Sequence, residues 1–239
     1  MFLPIGDDNS RRRSTPIIVW LLVALNAFVW FLELQRGDAF FAAYAAVPFE
    51  LSTGIDLTTT KYISIQGDLI PIPQAPGPVP IYLTLLSSMF MHGSWMHIIG
   101  NMMYLLIFGD QIEDRFGALR FLAFYLISGV AAGLAQVMTE PASVLPCVGA
   151  SGAIAAVLGA YLALYPGNSV KVLILQTVVL MPAFIVLGFW GVMQVMGHFG
   201  NPTQQGGVAY MAHVGGFVVG VVSGTLVRIA SFFRRTRIS

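Results

Sequence analysis

Four side chains in this sequence have the types and placement that acyl-transfer chemistry needs: Ser151, His213, His97 and Asn101. A serine hydroxyl beside a neutral imidazole is a nucleophile with its base, because an imidazole of ordinary pKa, about 6.5, takes up a proton near neutral pH. Ser151 opens a long apolar run, so it sits at a helix N-terminus, where unpaired N–H groups and the positive end of the helix dipole favour an oxyanion. His97 and Asn101 are four residues apart, share one helix face, and can both donate hydrogen bonds to that oxyanion. No Asp or Glu is expected at the level of His213 to orient it, so the pattern reads as a dyad and not a triad. The four histidines are not at metal-ligand spacing and Cys147 is the single cysteine, so neither a metal site nor a disulfide is expected, and no cofactor is implied.

A membrane-spanning bundle has to position these groups. The chain has 239 residues, 56% hydrophobic and 10% charged, whereas a soluble domain carries about a quarter charged residues. Apolar runs at 16–34, 119–138, 148–165, 172–195 and 208–227 each have spanning length. The run from 81 to 109 is too long for one span and breaks at His92-Gly93-Ser94, so 95–111 reads as the span and 81–91 as a short interfacial helix. The expected fold class is therefore an all-α integral membrane protein, a six-helix bundle in one domain (1–239), with a long external loop over 35–94. Arg11, Arg12 and Arg13 precede the first run as in a signal peptide, but that run continues through Val29-Trp30-Phe31, too long for a cleaved segment.

The basic residues set the expected orientation. Arg11, Arg12, Arg13, Arg115, Arg120, Lys171, Arg228, Arg234, Arg235 and Arg237 fall on one side, and only Arg36 and Lys61 on the other. That bias predicts both termini inside, so spans two, four and six run from outside to inside. His97 and Asn101 in span two, Ser151 in span four and His213 in span six then all lie within about two turns of their helix starts. Polar groups at one depth in lipid face the bundle interior or a water-filled cavity.

Small residues supply the positioning. The rows Ser151, Ala155, Gly159, Ala163 and Gly152, Ala156, Ala160 match Gly216, Gly220 and Gly224 of span six, with His213 one turn above Gly216. Such stripes let two helix backbones approach closely, which predicts Ser151 and His213 as neighbours. The narrow stripe beneath them also predicts a small side chain on the acyl group that the serine meets.

These residues resemble the rhomboid family of intramembrane serine proteases. The likeness rests on HGSWMHIIGNM (92–102), GDQIEDRFG (109–117), GASG (149–152) and AHVGG (212–216), in that order, each in its span. It implies Ser151 as nucleophile and His213 as base, with His97, Asn101 and the Ser151 backbone N–H as oxyanion hole. Gly149, Gly152, Gly216 and Gly220 become structural positions, and Glu113 and Arg115 a structural ion pair. Many family members carry an aromatic residue four positions after the serine, stacked on the histidine; Ala155 stands there in this chain.

The expected activity is cleavage of transmembrane segments near the outer membrane face. Single-span membrane proteins are the expected substrates, the lipid bilayer the other partner, and nucleic acid no partner at a net charge of +1. A bacterial inner membrane is the expected location. Two other classes compete: a non-catalytic client-binding relative, against which the intact dyad argues, and a six-span transporter, which would carry midplane ionisable residues or an inverted repeat.

Overall fold

The structure is a computed structural model that describes residues 2–10, 12–65, 67–200 and 208–236; Arg11 and Arg237 of the expected charge pattern lie outside it. After strand β1 (Phe2–Asp7) comes helix α1 (Ile17–Tyr44), which breaks at Gly37, where φ is 69°. The expected external loop then contains a short helix α2 (Pro48–Thr53), a hairpin of β2 (Lys61–Ile65) and β3 (Asp68–Ile72), and a helical segment around α3 (Thr84–Ser87). Helices α4 (Trp95–Phe116), α5 (Ala118–Thr139) and α6 (Ser151–Leu164) follow. Next come strands β4 (Ser169–Ile174) and β5 (Thr177–Pro182), and last α7 (Ala183–Gly200) and α8 (Tyr210–Thr236).

Four of these helices, α1, α5, α7 and α8, are long and apolar enough to cross a membrane. Helix α4 has 22 residues but ends in Asp110, Glu113, Asp114 and Arg115. Helix α6 has only 14 residues and is buried along most of its length by its neighbours. At 1.5 Å per residue it is about 21 Å long, some 9 Å short of a 30 Å hydrocarbon core. A helix that short cannot reach both faces of such a core.

The expected fifth span, 172–195, is corrected by the structure. Its first half is strand: β4 pairs antiparallel with β5, Val172 opposite Val179, and β1 pairs antiparallel with β4, Leu3 opposite Leu173. The β-branched residues alternate, Val170 and Val172 facing the core and Lys171 facing out, and α7 begins only at Ala183. The sheet also puts residues 2–7 beside the α6–α7 connection, on one side of the bundle.

The expected Glu113–Arg115 ion pair does not form. The buried Glu113 carboxylate instead accepts the Ile18 and Val19 N–H groups at 3.0 and 2.8 Å, capping α1, whose own N-cap is Pro16. A carboxylate there satisfies orphan donors and meets the positive helix end. Arg115 hydrogen-bonds Ser231 of α8. The rest of the 109–117 motif anchors the N-terminal segment: Asp110 pairs with Arg12 at 2.8 Å, Gln111 donates to Asp7 at 2.7 Å, and Asp114 accepts from Ser14. The motif is a clasp between the start of the chain and the C-terminal end of α4.

Candidate active site

The packing of α6 on α8 follows the small-residue rows. A methyl group on Gly216 would stand 2.1 Å from the Gly152 carbonyl oxygen, one on Gly220 2.0 Å from that of Ala156, and one on Gly159 2.2 Å from that of Phe217. The two backbones touch over about two turns, as the spacing predicts. At the start of that seam the His213 Nε2 and Ser151 Oγ are 2.8 Å apart. Ser151 is the first residue of α6, and among the described residues no side chain caps that helix.

The contact also explains Ala155. It is fully buried, and a Cβ on Gly216 would stand 3.3 Å from the Ala155 methyl. No aromatic ring fits between helices that close. His213 is held from another side, by α7. Its Nδ1 lies 2.8 Å from Gln194 Oε1, and the Trp190 ring lies over the imidazole with centroids 5.9 Å apart at 37°.

His97 and Asn101 converge on Gly149. Ser94 caps α4, its Oγ accepting the His97 N–H at 3.2 Å. The Gly93 N–H donates to His97 Nδ1 at 3.4 Å, so in the neutral ring Nε2 carries the proton. A Cβ at Gly149 would stand 2.6 Å from His97 Nε2 and 3.4 Å from Asn101 Nδ2. Gly149 also has φ of 119°, so both its conformation and its surroundings exclude a side chain. The absent Cβ is what lets the two donors reach the approach to Ser151.

Asn101 is buried and fixed by His92, whose Nε2 lies 2.9 Å from its Nδ2. The His92 backbone N–H in turn faces both Glu33 carboxylate oxygens at 3.2 Å. Burial first, and the neighbouring His97 second, push the His92 imidazole down to about 4, against a backbone hydrogen bond at Phe90 that raises it. A neutral His92 accepts one Asn101 proton and leaves the other free. On the opposite side, Gln136 of α5 accepts the Ala212 N–H at 3.3 Å, beside His213.

A cavity of about 660 Å³ contains Ser151, His213, His97 and Asn101 together, with Tyr104 and Trp190 in its wall. A smaller one of about 50 Å³ lies behind Ser151, walled by Met89, Gly129, Gly133 and Gly152. The glycine stripe beneath the pair is filled by α8, so the expected link from that stripe to substrate size has no open space there to rest on. Cys147 borders the small cavity, but burial, helped by the charge of Glu140, raises its thiol to about 12 and keeps it protonated. Among the described residues no three His, Cys, Asp or Glu stand where they could hold a metal ion.

Sequence reasoning missed Gln194, Trp190, Glu33 and the tie from His92 to Asn101. Gln194 carried one available signal: it is a lone amide in an otherwise apolar stretch.

Residues 81–230 match the family model described as Rhomboid domain. RHOMBOID-like protein 5 of Arabidopsis thaliana is 30% identical over 157 residues, covering 62% of this chain and 51% of its own length. Rhomboid protein 1, mitochondrial, of Saccharomyces cerevisiae is 30% identical over 186 residues, covering 74% and 48%. The putative rhomboid protease YdcA of Bacillus subtilis is 35% identical over 78 residues, covering 33% and 39%. The chain thus spans about half the length, or less, of these relatives.

Proposed function

Since the chain belongs to the rhomboid family, we propose that it is an intramembrane serine endopeptidase that cuts single-span membrane proteins near the outer membrane face. The observation that carries this reading is the 2.8 Å contact between His213 Nε2 and Ser151 Oγ inside a cavity that also holds His97 and Asn101. His213 takes the hydroxyl proton as Ser151 Oγ attacks the scissile carbonyl. The negative charge that develops on the carbonyl oxygen is met by His97 Nε2–H, Asn101 Nδ2–H and the Ser151 N–H. His213 then passes its proton to the leaving amine, and water releases the acyl group from Ser151 by the same path in reverse.

A peptide bond within a helix is shielded by its own hydrogen bond, so a substrate must unwind to reach Ser151. Helix-weakening residues near the outer face lower that cost. The 50 Å³ space behind Ser151 favours Ala, Ser or Gly just before the cut. The test is reconstitution with a single-span substrate and mass spectrometry of the products. The wild type releases the outer part by cutting after a small residue, and Ser151→Ala releases none. Equal turnover by Ser151→Ala removes the reading.

Orientation belongs to the same proposal: both termini inside, in a bacterial inner membrane, with the cavity facing out. The sheet joining residues 2–7 to the α6–α7 connection supports it, because the charge pattern assigns both segments to one side.

A further inference from the structure

Gln194 of α7 lies against the imidazole of His213. The direction of its amide follows from its other contact: Gln194 Nε2 donates to the Trp190 carbonyl, one turn earlier in α7, at 3.2 Å. That leaves Oε1, an acceptor without a proton, 2.8 Å from His213 Nδ1. Nδ1 must therefore carry the ring proton and Nε2 the lone pair, and Nε2 is the atom 2.8 Å from Ser151 Oγ. An imidazole with the opposite tautomer would place an N–H against the serine and have no means of taking its proton. Trp190, four residues before Gln194, covers the ring from the same helix face.

We propose that Gln194 acts as a positioning residue, fixing both the tautomer and the orientation of His213 from α7, so that the site is a Ser–His–Gln relay spread over three helices. The inference deepens the protease reading and rests on it. A neutral amide orients the ring without the charge that an aspartate contributes, so it stabilises the imidazolium formed during attack less than a carboxylate would. The groups facing His213 are Ser151 from α6, His97 across the cavity from α4, and Trp190 and Gln194 from α7. Among these described neighbours none is a carboxylate.

Two variants of nearly unchanged size test this. Gln194→Leu keeps the bulk and loses the acceptor; kcat and the rate of phosphonate labelling at Ser151 should both fall by about ten- to a hundredfold, with KM little changed. Gln194→Glu restores an acceptor and adds a charge; activity should return at neutral pH, with the acid limb of the kcat/KM profile moved up by about one to two pH units. A residue that merely packs would give neither the rescue nor the shift. Thermal melts of both variants report whether each is folded, and the pH limb of Gln194→Glu is read whatever Gln194→Leu does. If the wild type labels and cleaves while Gln194→Leu matches it and the Gln194→Glu limb stays put, the role of Gln194 is overturned alone. If the wild type neither labels nor cleaves, the protease reading falls and this one with it.

Discussion

Gly220 and Ala156 meet backbone to backbone: a methyl group on Gly220 would lie 2.0 Å from the Ala156 carbonyl oxygen. Real Cβ atoms do not come that near, so any side chain at 220 must push α8 off α6. Because Ser151 and His213 are held by the same two helices, their separation depends on this seam.

Gly220→Ala should therefore cost about 2 kcal/mol of stability and most of the activity. Gly188→Ala is the control, since a Cβ there meets nothing within 4 Å; it should be neutral, or stabilising by up to about 1 kcal/mol from helix propensity. Thermal melts in detergent compare them. Equal melting temperatures for the two variants would contradict the close seam.

Loss of one oxyanion donor typically costs about 3 kcal/mol, or two to three decades in rate. Asn101→Ala and His97→Ala should each lower kcat by that order while Ser151 stays open to covalent labelling. Gly149→Ala should match them, because its methyl would stand 2.6 Å from His97 Nε2. Wild-type turnover in all three would remove these groups from the mechanism.

Asp7 gives the clasp a pH dependence. Burial raises its carboxyl to about 6, Asp110 and Asp8 add to the rise, and hydrogen bonds from Tyr161 and Gln111 oppose it. A carboxyl raised on folding contributes stability that is complete below its unfolded pKa, about 4, and is lost as pH climbs through about 6. The melting temperature should therefore fall between pH 4.5 and 7.5. Asp7→Asn, which keeps an oxygen acceptor for Tyr161 and Gln111, should flatten that slope. An unchanged slope in the variant would assign the effect elsewhere.

Orientation is open to thiol chemistry in a Cys147→Ser background. Val79, 94% exposed before α3, and Gly167, where a Cβ meets nothing within 4 Å, both accept a cysteine without strain. In sealed cells an impermeant reagent should modify Val79→Cys and spare Gly167→Cys. Modification of the second and not the first would invert the topology.

The helical seam was legible because glycine and alanine recur every fourth residue in both α6 and α8, a spacing with few other uses. The Ser151–His213 approach followed from it. The β4–β5 hairpin was hidden because an apolar run of residues at 172–182 has the composition of a span, and only the alternation of Val170, Lys171 and Val172 marks it as strand. Gln194 was not legible as a partner, since nothing in α7 tells which face meets α8. Glu113 and Arg115 were recognised as structural, but a spacing of two puts them on different sides of a helix, and each found a different neighbour: the start of α1 and Ser231.

The proposed chemistry stands on Ser151 as a nucleophile activated by His213. Its most direct measurement is mass mapping of the adduct formed with a fluorophosphonate on the full chain in detergent. The adduct should lie on Ser151 alone, be absent in Ser151→Ala, and form at least about a hundredfold more slowly in His213→Ala. No adduct on Ser151 in the folded wild type, or one that forms as fast without His213, would contradict the account.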